Sequence, residues 1–169
     1  MATILDGGAC DVGIESTIVA FRGDTPILLR PGGIASAALS RALGVPLSDA
    51  DGSAPRAPGT LASHYAPRTP ATLVAPDVLR AEIAQLDERD EIVAVLARTV
   101  ARPADFTGVW VDAPADAVTY AHDLYANLRG LDAANADVIL VETVPDGDAW
   151  LAVRDRVLRA TRGVDDDRD

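Results

Sequence analysis

The chain has 169 residues, of which 49% are hydrophobic and 24% charged, and its formal net charge is −11. An acidic surface repels a phosphate backbone, and no apolar run approaches the ~20 residues of a membrane-spanning helix, so we expect neither nucleic-acid binding nor membrane insertion. The N-terminal residues lack the basic segment and apolar stretch of a secretory signal, which predicts a cytoplasmic protein.

Composition also restricts the chemistry. All 15 basic residues are Arg, so the chain has no lysine for a Schiff base or a phosphate-binding loop. Its one cysteine, Cys10, and its two histidines, His64 and His122, are too few for a zinc site, and we expect no metal ligands. We interpret Cys10 as a small residue near a turn and His122 as a solvated side chain.

The sequence predicts two strands and a helix in the N-terminal region. Short apolar, β-branched runs at 16–21 and 26–30 flank a turn at 22–25, a pattern typical of a hairpin. Helical spacing of apolar residues over 34–43 stops at Gly44, which predicts a helix end there. Because a region of about 44 residues seldom holds a core alone, we expect it to belong to a larger body.

Proline marks the next region. Six of the 11 prolines fall between residues 46 and 76, and the stretch shows neither the helical nor the strand period. We therefore predict an extended linker over 45–70, which either joins two bodies or lies over a site.

After the linker, apolar strands alternate with amphipathic helices. The alternation predicts an α/β domain over 71–162, with a parallel sheet in a Rossmann-like three-layer arrangement, followed by an acidic tail over 163–169. No Gly-x-Gly-x-x-Gly follows its first strand, so the pattern implies no dinucleotide cofactor. The predicted strands are 71–75, 91–97, 108–112 and 138–142, and the predicted helices are 77–88, 115–130 and 148–161. The residues expected to pack inward are Leu79, Ile83, Leu86, Trp110, Val118, Ala121, Tyr125, Leu128 and Trp150.

A glycine-rich segment, residues 7–13, precedes Ser16 at the start of the first predicted strand. Glycines allow positive φ and close approach of a ligand, and the Ser16 hydroxyl can donate or accept a hydrogen bond. The segment therefore suits a polar ligand, and the same residues equally fit a plain turn between strands.

Arg30 and Tyr65 are two further candidates. Arg30 ends an apolar strand and presents a planar fork of donors for phosphate or carboxylate; the alternative is a surface arginine paired with one of the many acids. Tyr65 lies in a linker stiffened by prolines, where its ring can stack on a base. The neighbouring His64 has no second partner in the sequence and is interpreted as structural.

Several short motifs follow one another along the chain. They are Asp6-Gly-Gly, Gly13-Ile-Glu-Ser-Thr-Ile-Val19, Leu29-Arg-Pro-Gly32, Pro58-Gly with His64-Tyr-Ala-Pro67, Tyr125-Ala-Asn-Leu-Arg-Gly-Leu-Asp132 and Ala152-Val-Arg-Asp-Arg-Val-Leu-Arg-Ala160. Each is weak alone, but together, over about residues 4–162, they resemble the C-terminal part of L-threonylcarbamoyladenylate synthase of the two-domain (Sua-five) type.

The resemblance implies an enzyme that condenses L-threonine, bicarbonate and ATP into threonylcarbamoyl-AMP, with release of pyrophosphate, for the threonylcarbamoyladenosine modification of tRNA. It implies that Ser16 contacts L-threonine, that Arg30 contacts ATP and that Tyr65 covers the nucleotide. Mg²⁺ is expected with ATP. The implied partners are the substrates and the downstream tRNA-modification machinery, without direct nucleic-acid binding.

The same resemblance implies that residues 1–44 are the remnant of a YrdC-like α/β catalytic domain. Members of the family have a complete domain there, whose basic residues form most of the ATP and threonine pocket. We therefore expect the isolated chain to be inactive, with an N-terminal domain supplied in cis or in trans. Two other hypotheses stay open: a non-catalytic small-molecule-binding or regulatory module over 71–162, and an interaction protein whose residues 1–44 add strands to a partner sheet.

Overall fold

The computed structural model describes residues 3, 5–8, 10–59 and 66–162. An antiparallel hairpin opens the fold, with strand β1 (Ile18–Arg22) paired to strand β2 (Thr25–Arg30). The predicted pair of strands is confirmed. The pairing places Arg30 opposite Ile18, at the end of the hairpin away from its turn.

Helix α1 (Ser36–Leu43) follows the hairpin and ends at Gly44, whose φ of 74° forms a left-handed C-terminal cap. Strand β3 (Ser48–Asp49) then pairs in parallel with β2. The region predicted as a linker, 45–70, thus begins with a short strand. Both residues of β3 are exposed, so the pairing has no apolar pattern from which it could have been predicted.

A second sheet has four strands, and every neighbouring pair in it is parallel. The strands are β4 (Ala71–Val74), β5 (Val93–Ala97), β6 (Val109–Asp112) and β7 (Val138–Glu142). Their order across the sheet is β4-β7-β5-β6, so the last strand in sequence lies between the first two. The predicted parallel sheet is confirmed.

Helices cover both faces of this sheet. They are α2 (Leu79–Asp87), α3 (Ala117–Asp132) and α4 (Leu151–Ala160), the last preceded by a 3₁₀ turn at Asp148–Trp150. One core cluster lies between the sheet and α2, and the other lies between the sheet and the pair α3 and α4. Successive residues of β5 contribute to opposite clusters, because side chains alternate along a strand. The three-layer arrangement is therefore as predicted.

The buried faces of the helices agree with the sequence only in part. On α2 the three predicted residues are buried, but on α3 the prediction for Val118 was wrong, since that side chain is 77% exposed. The buried stripe of α3 consists of Tyr120, Ala121, Leu124, Leu128 and Leu131. Two apolar stripes of helical period overlap in this sequence, and only contact with the sheet decides between them.

Both tryptophans pack as predicted. Trp150 lies edge-on to Tyr120, with ring centroids 5.5 Å apart, and Trp110 lies edge-on to Phe106 at 5.4 Å.

In the part of the chain that the structure describes, none of the helices has the length and apolar character that a membrane crossing requires.

Candidate functional site

Ser16 and Arg30 come together at the open end of the hairpin. The Arg30 side chain is nearly buried, and its Nη2 donates to the main-chain carbonyl of Ser16 at 2.9 Å, with Nε at 3.3 Å from the same oxygen. Ser16 itself is exposed, so its hydroxyl side is open to a ligand. Two residues singled out from the sequence are therefore neighbours in the fold.

Arg30 also binds the linker. Its Nη1 donates to the carbonyl of Pro58 at 2.8 Å, which ties the segment ahead of Tyr65 to the hairpin. Tyr65 and His64 lie outside the described residues. The placement of Tyr65 over a nucleotide accordingly stays a prediction.

The charge of Arg30 is available for an anionic ligand. Its bonds to the two carbonyls use three of the five N–H groups of a guanidinium. Among the described residues no carboxylate forms an ion pair with Arg30. A nearly buried, charged fork that has no carboxylate partner among the described residues is chemically suited to a phosphate or carboxylate group.

Gly32 lets the loop after β2 approach the backbone beside Ser16 closely. A Cβ on Gly32 would lie 2.3 Å from the main-chain nitrogen of Thr17, so the loop after β2 packs directly on the backbone next to Ser16. The Thr17 hydroxyl fastens the contact, because it donates to the carbonyl of Ile34 at 3.0 Å and accepts from the amide of Ile34 at 3.2 Å.

The segment before Ser16 packs in the same way on α3. Gly13 has a φ of +77°, and a Cβ there would lie 2.2 Å from the Cα of His122. The side chain of His122 is itself exposed, as predicted, with Nδ1 2.6 Å from a carboxylate oxygen of Asp123. The backbone of α3 therefore supports the segment that carries Ser16.

A buried ionic network joins this site to the second sheet. Arg156 of α4 is fully buried, and its Nε lies 2.8 Å from Oε2 of Glu15. Tyr125 of α3 donates its hydroxyl to the same Glu15 oxygen at 3.0 Å. Arg156 also donates from Nη2 to the carbonyl of Pro31 at 3.1 Å. Glu15 and Pro31 are the chain neighbours of Ser16 and Arg30.

The electrostatics of the network favour one protonation state. Burial by itself would raise the pKa of Glu15, but the hydrogen bond and positive charge of Arg156 outweigh burial and lower that pKa below its ordinary value. Burial, followed by the negative charge of Glu15, raises the pKa of the Tyr125 phenol. At neutral pH the glutamate is thus the acceptor and the tyrosine remains a donor.

An apolar cavity of about 310 Å³ lies between the hairpin loops and the helices of the second sheet. Its lining includes Val12, Ile34, Val118 and Ala152, with Asp148 as an acidic group at its wall. Ser16 and Arg30 are not part of that lining. The cavity therefore does not include the two residues of the polar site, although Pro31 and Gly32 next to Arg30 line it.

Residues 34–161 match the protein family described as the C-terminal domain of threonylcarbamoyl-AMP synthase. The chain belongs to this family. The resemblance noted from the sequence motifs is confirmed.

Relatives of this threonylcarbamoyl-AMP synthase family support the assignment. The Threonylcarbamoyl-AMP synthase of Bacillus subtilis is 32% identical over 173 residues, covering 96% of this chain and 49% of the relative. That of Pyrococcus abyssi is 30% identical over 177 residues, covering 94% and 48%. The crystal structure of P. abyssi Sua5 complexed with L-threonine superposes with a TM-score of 0.77 at 28% identity, covering 92% of this chain and 48% of that one. The chain spans about half the length of the curated relatives it matches.

For this member of the threonylcarbamoyl-AMP synthase family, the sequence singled out Ser16 and Arg30. It gave Tyr125 only a packing role and gave Glu15 and Arg156 none. One signal was present. Arg156 lies on the apolar face of α4, between residues that are buried with it. A cation on the inward stripe of an amphipathic helix requires a buried partner, and the sequence alone did not identify that partner.

Proposed function

We propose that the chain is the C-terminal portion of an L-threonylcarbamoyladenylate synthase, which makes threonylcarbamoyl-AMP from L-threonine, bicarbonate and ATP for the threonylcarbamoyladenosine modification of tRNA. The observation that carries the proposal is the base of the hairpin, where exposed Ser16 meets the guanidinium of Arg30, which has no ion-pair partner among the described residues. The relatives named as this synthase match along nearly the whole chain, and one of them was crystallised with L-threonine.

In this proposal each residue has one role. The hydroxyl of Ser16 binds the L-threonine substrate, and Tyr65 covers the nucleotide. The N–H groups of Arg30 that no described residue engages bind the phosphates of ATP. When a threonine carbamate oxygen bonds to the α-phosphorus, the bond to the β-phosphate bridging oxygen breaks and pyrophosphate leaves. Arg30 stabilises the negative charge that develops on the phosphate oxygens.

The residues that the structure describes do not fit a cage for Mg²⁺. Across the described ranges, no group of three or more His, Cys, Asp or Glu side chains could hold a metal ion. We propose that Mg²⁺ arrives bound to the ATP phosphates, which is a usual mode for this ion. The steps assigned to Ser16 and Arg30 do not depend on it.

We also propose that the chain works in the cytoplasm with an N-terminal YrdC-like domain, joined to it or supplied separately, and that it is inactive alone. That domain would contribute most of the basic residues of the substrate pocket. The product would pass to the tRNA-modification machinery without this chain binding nucleic acid. A stand-alone regulatory or small-molecule-binding module is not favoured, because the matching relatives are named as synthases.

A fusion enzyme tests the proposal. The part of the Bacillus subtilis relative that precedes its match is joined to this chain, and pyrophosphate release is measured with each substrate omitted in turn. We expect release only with L-threonine, bicarbonate and ATP together, and none from the chain alone. A fusion that folds but releases no pyrophosphate would refute the proposal.

Arg30→Ala in that fusion tests the role of Arg30. We expect a loss of about 10²–10³-fold in kcat, the effect of removing one donor to transition-state charge. The matched control is Arg22→Ala, because Arg22 lies on the same hairpin but its side chain is half exposed and paired with Asp51. Equal rates for the two variants would contradict the role given to Arg30.

A further inference from the structure

One buried cation connects the second sheet to the residues that flank the proposed substrate contacts. Arg156 is 0% exposed, and it holds the carboxylate of Glu15 at 2.8 Å and the carbonyl of Pro31 at 3.1 Å. Glu15 directly precedes Ser16, and Pro31 directly follows Arg30. A single guanidinium therefore binds both segments of the site, at the positions next to Ser16 and Arg30.

The orientation of this guanidinium is itself fixed. Nη1 of Arg156 donates to Asp155, and Asp155 is paired in turn with Arg159 one helical turn further along α4, with Nη2 to Oδ1 at 2.9 Å. Tyr125 holds Glu15 from α3. Asp155 of α4 thus orients the guanidinium and Tyr125 of α3 orients the carboxylate that it binds, which leaves the bridge little freedom to rotate.

Within the site, Arg30 already ties the two segments to each other through the carbonyl of Ser16. That bond fixes their separation but not their place relative to the rest of the molecule. The contacts of Arg156 anchor both segments to α4, in addition to the packing of Gly13 on α3.

We propose that Arg156 is a positioning residue for the substrate site, which sets the place of Ser16 and Arg30 by holding their neighbours Glu15 and Pro31. This inference rests on the function proposed above. It gives the C-terminal sheet domain a part in turnover, since the helix that carries Arg156 belongs to that domain. Reactions between bound substrates are sensitive to such placement, and a shift of 1 Å can cost on the order of 10²-fold in rate.

The test uses the fusion enzyme with Arg156→Met and Arg156→Lys. At a temperature where melting curves show the variant folded, we expect Arg156→Met to lower kcat on the order of 10²-fold, the cost of a shift of about 1 Å, and to raise KM for L-threonine about tenfold, the equivalent of roughly one hydrogen bond in binding. Lysine keeps the charge beside Glu15 but cannot also reach Pro31 as a fork, so Arg156→Lys is expected to restore part of the loss.

The matched control is Arg154→Met. Arg154 lies on the same helix, and its ion-pair partner Asp146 is 97% exposed and belongs to no substrate segment. We expect this control to leave KM unchanged. If Arg156→Met is folded and keeps the unsubstituted KM, or if Arg154→Met changes KM equally, the positioning role is overturned.

Hydrogen exchange on the chain itself gives a readout that needs no activity. Arg156→Met is expected to speed exchange of the amides at 15–17 and 32–34 while leaving β5 unchanged. Unaltered exchange in those two segments would overturn the inference. Its failure is distinct from that of the proposed function: an inactive unsubstituted fusion refutes the function, whereas an active fusion insensitive to Arg156 refutes only the positioning.

Discussion

Glu142 fastens the loop that follows β5, and Glu142→Gln measures how much that contributes to stability. Its side chain is 1% exposed at the end of β7. Oε2 accepts from the amides of Arg98, Thr99 and Val100 at 2.7, 2.9 and 3.1 Å, and the Thr99 hydroxyl donates to Oε1. Three successive amides thus converge on one buried anion.

The expected loss follows from the charge of the acceptor. A hydrogen bond to a charged group contributes about 1.5–3 kcal/mol and a neutral one about 0.5–1.5 kcal/mol. Glutamine keeps the shape of Glu142 and removes its charge, so each of the three amide bonds weakens by about 1 kcal/mol and the free energy of unfolding falls by about 3 kcal/mol. Urea denaturation measures the difference. The matched control is Glu88→Gln, an exposed residue after α2, with an expected change under about 0.5 kcal/mol.

The pH dependence checks the same reasoning. Burial by itself would raise the pKa of Glu142, but the hydrogen bonds from Thr99 and the loop amides outweigh burial and lower it. A carboxylate whose folded pKa is depressed adds stability above its unfolded pKa of about 4.3, and that stability is lost as pH falls through the folded value. The difference in free energy of unfolding between the unsubstituted chain and Glu142→Gln should therefore be largest at pH 7 and shrink below about pH 4. A difference under about 0.5 kcal/mol at pH 7 would refute the charge argument.

Three further predictions concern packing and reactivity. Gly13→Ala puts a Cβ 2.2 Å from the backbone of α3 and is expected to lower the free energy of unfolding by more than about 2 kcal/mol, whereas Gly23→Ala, at positive φ in open space, should cost about 1 kcal/mol; equal urea midpoints would contradict the clash. Leu124→Ala should cost about 2–5 kcal/mol and the exposed Val118→Ala under about 0.5 kcal/mol, and thermal melts that show the reverse would mean that the buried stripe of α3 is misassigned. Hydrogen bonds from the amides of residues 12 and 13 lower the pKa of the exposed Cys10 thiol, so iodoacetamide at pH 7 should alkylate it faster in the folded chain than in urea; a slower folded rate would count against those bonds.

The elements of the fold could be predicted because their signals are local. The apolar, β-branched runs of β1 and β2 and the apolar stripe of α2 each arise within a few residues. β3 could not be predicted, because its two exposed residues pair through the main chain alone. The inward face of α3 was predicted only in part, since the helical period fits more than one stripe and the sheet selects among them.

The candidate site, like the fold, could be predicted from the sequence only in part. Ser16 and Arg30 were found because they stand in ordered motifs of a chain that resembles its relatives over nearly its whole length, and their roles stay predictions. That Arg30 would bind the Ser16 carbonyl could not be read from those motifs, since nothing in them states which atoms meet. Tyr65 was found by the same motifs, and its role stays a prediction.

By itself, then, the sequence determined which segments become strands or helices, apart from β3, that the second sheet is parallel, and the family of the chain. Only the tertiary structure decided that Arg156 bridges Glu15, 141 positions away, and Pro31. The physical reason is that periodicity and turn chemistry act between near neighbours, whereas the pairing of a buried charge depends on which distant atoms the packed layers bring within hydrogen-bonding distance.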